Sequence, residues 1–132
     1  LFRGVKVEKG AKVEGCILFK NTVVKKDAVL HSVIADKYVL INEGRQLMGH
    51  EHYPLVLRRW MEGDSFTPFG MIGRKKVSDY LIDHKVSMPE KRRQFVMLSE
   101  GEIAWLIGRR IDDEFRITRQ TETVLRITKE II

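Results

Sequence analysis

The 132-residue chain is 43% hydrophobic and 32% charged, with a formal net charge of +6. That balance excludes a disordered polyelectrolyte and supplies apolar residues for one ordinary domain or two small ones. A lone cysteine, Cys16, excludes an internal disulfide and a cysteine-rich zinc site, and no apolar run has the length of a membrane-spanning helix.

The lone cysteine suits a reducing cytoplasm, the expected location, and the N-terminus lacks a signal-peptide pattern. The chain starts at Leu1 rather than methionine, so a fragment is one expectation for it. The charge is unevenly spread. Residues 1–50 hold nine Lys/Arg against five Asp/Glu, and residues 51–132 hold fifteen against thirteen. An anionic partner for the second part therefore has to be met by local clusters, at 74–76 and 91–93, and not by bulk charge.

The first third repeats every six residues: Val5, Ala11, Ile17, Val23, Val29, Ala35 and Ile41 are all small or β-branched. Val7, Val13 and Phe19 echo the beat two positions on. Neither a 3.6-residue helix nor simple strand alternation produces this spacing, whereas a β-solenoid with one short strand per side does. Each beat residue is expected to point inward. Lys6, Lys12, Lys20, Lys25 and Lys26 are expected on a solvated outer face, and Cys16 as a small interior residue. His31, His50, His52 and His84 lack metal-ligand spacing, His50-x-His52 being the one close pair, so no metal is expected.

The run Val39-Leu40-Ile41-Asn42-Glu43-Gly44-Arg45 closes this segment, which resembles the hexapeptide-repeat tail of ADP-glucose pyrophosphorylase-type nucleotidyltransferases. The resemblance implies a short left-handed β-helix of fewer than three coils, a structural role and self-association. From Gly44 to His52 the period fades, which places a boundary between domains 1–49 and 50–132.

Beyond it, Leu55-Val56-Leu57 reads as a strand. A basic pair beside an aromatic (Arg58, Arg59, Trp60) leads to a Gly63-Asp64 turn, a Pro68-Phe69-Gly70 bend, then Gly73 and the cations Arg74-Lys75-Lys76 at the mouth of a short helix. Val77, Tyr80 and Leu81 give that helix its i, i+3, i+4 stripe. Glycine before a helix start and unpaired first-turn N–H groups suit a phosphate, although a solvated basic turn has the same composition. Ser87-x-x-Glu90 is a capping box with Pro89 in the first turn. Phe95–Leu98 and Ile103–Ile107 flank Ser99-Glu100-Gly101-Glu102 as a hairpin. Asp112-Asp113-Glu114 reads as a solvated acidic turn rather than a metal site, and Phe115–Thr118 and Thr123–Ile127 as closing strands. Trp105 reads as core. Trp60 reads as core or as a base-stacking platform.

The pattern Arg58…Gly63-Asp64-x-Phe66-x-Pro68-x-Gly70-Met71-x-Gly73-x-Lys75-Lys76-x-Ser78-Asp79-x-x-Ile82-Asp83-x-Lys85 resembles the C-terminal domain of bacterial tRNA(Ile)-lysidine synthetases. The likeness continues through Pro89, Arg92, Arg93, Gly101-Glu102-Ile103, Trp105 and Gly108-x-Arg110-Ile111-Asp112. Ser65 departs from it, standing where the family often has arginine. The resemblance implies a mainly β chain: the β-helix segment, then a small sandwich-like α+β domain that binds tRNA, in particular tRNA(Ile), without catalysis. It implies backbone contacts from Arg58, Arg74, Lys75, Lys76, Lys85, Arg92 and Arg93, with Gly70 and Gly73 shaping the turn. No catalytic residue and no cofactor is expected in this chain. ATP and lysine would serve a separate catalytic domain with a Ser-Gly-Gly-type phosphate loop, a motif absent here, as are a P-loop lysine and a nucleophile elbow. The alternative reading is a structural or oligomerisation module derived from a sugar-nucleotide adenylyltransferase tail.

Overall fold

The structure is a computed structural model and describes residues 1–49 and 54–115. It divides into two compact units, Leu1–Arg58 with Leu98–Gly101, and Arg59–Met97 with the described residues from Glu102 on.

Unit 1 is built from very short strands. They are β1 (Lys6–Val7), β2 (Lys12–Glu14), β3 (Ile17–Leu18), β4 (Val23–Val24), β5 (Val29–His31), β6 (Val33–Ala35), β7 (Leu40–Ile41), β8 (Gln46–Met48) and β9 (Leu55–Arg59). They stack as three parallel ladders, β1-β4-β7, β2-β5-β8 and β3-β6-β9. The register sets Lys6 beside Val23 and Leu40, Lys12 beside Val29 and Gln46, and Ile17 beside Ile34. Each coil thus consumes 17 residues, not 18. The third ladder closes with Val33 beside Leu55, so β9 supplies a side of the last coil.

A 17-residue coil has one five-residue side, and this corrects the expected inward set. Because strand side chains alternate with period two, a one-residue slip turns a position to the other face. Ile17 lies outside at 48% exposure, and Val23 and Val29 are half-buried. The interior is filled by Leu18, Val24, Leu30 and Val33, together with Ala28, Ala35, Val39, Ile41 and Leu47. Phe19 is likewise outside, stacked on Phe2 with ring centroids 4.7 Å apart. Full burial of a Leu or Val side chain contributes about 1.5–3 kcal/mol, so these interior stacks hold the coil. Thr22 and Ser32 are polar yet buried, and the Thr22 hydroxyl donates to the Asp36 carbonyl at 2.8 Å.

The corners carry the same 6-5-6 rhythm. Gly4, Gly10, Gly15, Asn21, Asp27, Ser32, Tyr38 and Gly44 all have left-handed φ. Asn and Asp tolerate this conformation because their short side chains bond locally. Asn21 and Asp27 lie under Gly4 and Gly10 of the preceding coil, where a Cβ would stand 1.9 and 2.1 Å from their Oδ1 atoms.

Unit 2 contains a two-stranded ladder of β10 (Ser65–Phe66) with β11 (Lys75–Lys76), then α1 (Val77–Asp83) and α2 (Met88–Arg92). Strands β12 (Phe95–Ser99), β13 (Glu102–Leu106) and β14 (Arg110–Ile111) follow as neighbours, ending in a one-turn 3-10 helix, Asp113–Phe115. The turn between β12 and β13 is two residues long, with Glu100 at φ +53° and Gly101 at φ +78°, the mirror-image geometry that fits strand twist. The Val77, Tyr80 and Leu81 stripe of α1 is buried, with Tyr80 edge-on to Phe66 at 5.5 Å. Phe66, Val96, Ile103 and Leu106 complete this core. Ser87 caps α2 by accepting the Glu90 N–H at 3.4 Å. The Glu90 carboxylate pairs with Arg109 at 3.6 Å. Apart from Phe115, which ends the 3-10 turn, the two closing strands expected at 115–118 and 123–127 lie outside the described residues.

Candidate nucleic-acid interface

Three of the seven candidate cations, Arg74, Lys75 and Lys76, are positioned by the segment from Met61 to Lys76. Asp64 starts it: its carboxylate accepts the Met61 N–H at 2.7 Å, and its carbonyl accepts the Val77 N–H at 2.9 Å. The bend beyond β10 is tied to the acidic turn. Asp112 is buried and accepts the N–H groups of Thr67 (2.8 Å) and Glu114 (2.9 Å). Asp113 donates its backbone N–H to the Thr67 carbonyl at 2.7 Å, and Phe69 donates to the Ile111 carbonyl at 2.9 Å. The acidic turn expected to be solvated is in this respect a buried clamp. Gly70 and Gly73 have φ of +82° and +87° with open space where a Cβ would stand, so their backbone angle and not their size selects glycine.

The Arg74-Lys75-Lys76 run stands directly before the helix, as expected, and no side chain caps that helix start. Lys75 and Lys76 form the β11 side of the β10–β11 ladder, and the helix starts at Val77. The Val77 N–H is already donated to Asp64. Two of the three cations are also engaged. Arg74 docks on Ser65, Nε to Oγ at 3.1 Å and Nη2 to Oγ at 2.9 Å and to the carbonyl at 3.2 Å, with Glu102 3.9 Å away. Lys75 donates to Asp83. That hydrogen bond and the Lys75 charge hold the Asp83 carboxyl below its ordinary value, His84 adding a smaller push the same way.

Lys76, Lys85 and Arg92 are exposed, and no ion pair holds them among the described residues. Lys85 follows α1 at φ +54°, with its N–H on the Ile82 carbonyl and the Val86 N–H on the Leu81 carbonyl. This is the helix-ending motif whose left-handed position glycine normally takes. Arg93 is exposed and its Nε donates to the Pro89 carbonyl at 3.3 Å. Arg58 is half-buried and falls in unit 1.

Beside α1 and α2 lies a half-open cleft of about 360 Å³, lined by Arg59, Trp60, Glu62, Ser78, Ile82, Met88, Lys91 and Arg92. The Trp60 indole N–H donates to the Lys91 carbonyl at 2.7 Å, which fixes the ring. The Arg59 guanidinium sits over Phe95, 5.1 Å from its centroid.

The family described as TilS substrate C-terminal domain matches residues 55–127, more than half of the chain. The chain belongs to that family. Residues 1–53 match a second family, described as GlmU-like, C-terminal hexapeptide; the hexapeptide character of this segment is thus shared with a GlmU-like tail. Among relatives, a tRNA(Ile)-lysidine synthase of Parabacteroides distasonis is 53% identical over 73 residues, 55% of this chain and 17% of that protein. The Bacteroides thetaiotaomicron protein of the same name is 53% identical over 68 residues, 52% of this chain and 16% of its own length. The one from Clostridium tetani is 33% identical over 116 residues, 77% of this chain and 24% of that protein. The chain therefore spans about 15–24% of the length of the relatives it matches. No solved structure matches it.

Within the TilS C-terminal region, sequence reasoning missed several residues. Asp112, Gln94 and Ser65 act as internal clamps. Gln94 is buried, donates to the Phe95 and Ile107 carbonyls at 2.8 Å and accepts from Arg109 at 2.8 Å. Lys91 and Arg59 line the cleft, and their one sequence signal was proximity to cationic neighbours. Among the described residues no three His, Cys, Asp or Glu side chains come together as a metal site, and no helix is long and apolar enough to cross a membrane. His50 and His52 lie outside the described residues.

Proposed function

We propose that unit 2 is a non-catalytic tRNA-binding part of a lysidine-forming enzyme, gripping the RNA backbone with Lys76, Lys85, Arg92 and Arg93. Arg58, Arg74 and Lys75 act as weaker or indirect contributors. The observation that carries the reading is the TilS C-terminal match over a unit in which Lys76, Lys85 and Arg92 are exposed and held by no ion pair among the described residues. Double-stranded RNA is held through phosphates and 2′-hydroxyls, which suits cations on a rigid turn. The substrate is tRNA(Ile) and the compartment the cytoplasm. ATP and lysine belong to the stretch of the relatives' length that these residues do not match.

The test is a titration of the chain with tRNA(Ile) and an unrelated RNA duplex at low and moderate salt. The expected result is saturable, tRNA-favouring binding that weakens with salt. Lys76→Glu and Arg92→Glu should each flatten the log–log salt slope by about one. Unchanged slope and affinity in both variants would sink the assignment.

We read unit 1 as a left-handed coil, by its GlmU-like hexapeptide match, and the two sheets of unit 2 as a sandwich. A second reading makes unit 1 an assembly module. It is favoured by the stacked, exposed Phe2–Phe19 pair, and light scattering that reports a clean monomer would count against it.

A further inference from the structure

The cleft in unit 2 combines features that a backbone grip does not need. Its floor includes Ile82 and Met88, both more than half exposed although apolar. Trp60 forms a fixed wall, its only donor already spent on Lys91. Lys91 and Arg92 line the cleft, as do Arg59, which lies over Phe95, and one carboxylate, Glu62. The volume, about 360 Å³, falls at the small end of ligand-pocket sizes.

We propose that this cleft accepts one unpaired RNA nucleotide, its base on the Trp60, Ile82 and Met88 surface and its phosphate at Lys91 and Arg92. A base inside a duplex is stacked and cannot reach such a surface, whereas an unpaired base at a duplex end enters without breaking a pair. Apolar and aromatic walls accept any base, because each base has a π-face, so the subsite is tolerant of sequence. The excess of cations over carboxylates favours an anionic ligand, and the test below separates a phosphate-bearing one from a carboxylate-rich peptide. The inference rests on the RNA-binding reading above and adds a subsite for single-stranded RNA.

The test uses the full chain and three RNA hairpins: blunt, extended by four unpaired 3′ nucleotides, and extended by four abasic units. The base-bearing extension should tighten binding about tenfold over the blunt hairpin, and the abasic one by much less. Met88→Asp opens α2 with an acidic residue where the helix dipole favours it, so the fold is retained, as circular dichroism would check. It should abolish the gain from the extension while leaving blunt-hairpin affinity within about twofold. Lys91→Gln, which keeps the carbonyl that holds Trp60, should halve the gain or more. Equal gains from abasic and base-bearing extensions, or Met88→Asp weakening the blunt hairpin just as much, would overturn the subsite and leave backbone binding standing. Displacement of only the extended RNA by a glutamate-rich peptide would also overturn it, assigning the cleft to protein. Absence of binding to every hairpin would overturn both readings.

Discussion

Replacing Asp112 by alanine removes the acceptor of two backbone N–H groups, those of Thr67 at 2.8 Å and Glu114 at 2.9 Å. Hydrogen bonds to a charged partner contribute about 1.5–3 kcal/mol each, and a buried donor left unpaired carries its full desolvation penalty. Glu114 is exposed, so water replaces the carboxylate there, whereas Thr67 is half-buried and has less access to solvent. The sum is about 3 kcal/mol. In a unit of this size 1 kcal/mol moves Tm by about 4–8 °C, so Asp112→Ala should lower the transition by roughly 15 °C. Asp112→Asn keeps one acceptor but presents an amide NH2 to the other donor, and should lose about half as much. Tryptophan fluorescence is the assay, because both tryptophans, Trp60 and Trp105, belong to unit 2 and report it selectively. A fall of less than about 4 °C for the alanine variant would refute the clamp, since it corresponds to under about 1 kcal/mol.

Gly49→Ala places a Cβ 2.1 Å from the Ser32 carbonyl and 2.6 Å from the Leu55 nitrogen, so it should open the last coil of unit 1 and speed thiol labelling of Cys16. Gly44→Ala, with left-handed φ but no neighbour within 4 Å, should cost only about 1 kcal/mol and leave labelling nearly unchanged. Asp83 has a depressed folded pKa, so the Lys75–Asp83 pair should stabilise at neutral pH and lose its effect as pH falls through that lowered value. Both the size and the RNA effect are measurable in Asp83→Asn, which should barely move Tm, because the group is solvent-exposed, yet release Lys75 and steepen the RNA salt slope by about one. Lys85→Gly should raise Tm, by up to about 1 kcal/mol of stability, while weakening RNA binding; a variant that is both destabilised and fully binding refutes its assigned role.

Much of this architecture was legible in the residues because local chemistry dictated it. The Val77, Tyr80 and Leu81 stripe, the Ser87 cap and the Glu100-Gly101 turn each depend on a few neighbours, and each is present. The coil was legible as a coil but misread in phase. A strict count of six begins on half-buried Val5 and Ala11, slips outside at Ile17 because one side has five residues, and reaches the buried interior at Ala35 and Ile41. The sequence signal for the shorter side lay in the corners, where Gly15 follows Gly10 by five residues and Ser32 follows Asp27 by five. The clamps were not legible. Asp112 and Thr67 are 45 residues apart, and nothing local distinguishes a buried aspartate in an acidic triplet from its exposed neighbours.

The cations divide by the same physics. A basic cluster looks uniform in sequence, but Arg74 is fixed on Ser65 and Lys75 on Asp83, so their charge is partly answered within the fold. A phosphate approaching them has to displace a protein acceptor, which cancels much of its gain. Lys76 and Arg92 carry no such partner among the described residues, and Lys85 goes further. It occupies a left-handed helix-ending position at which glycine would be about 1 kcal/mol better, and its side chain buries nothing in return. A residue that breaks a local rule without a structural gain points to use at the surface. The phosphate contact proposed above for Lys85 would be such a use.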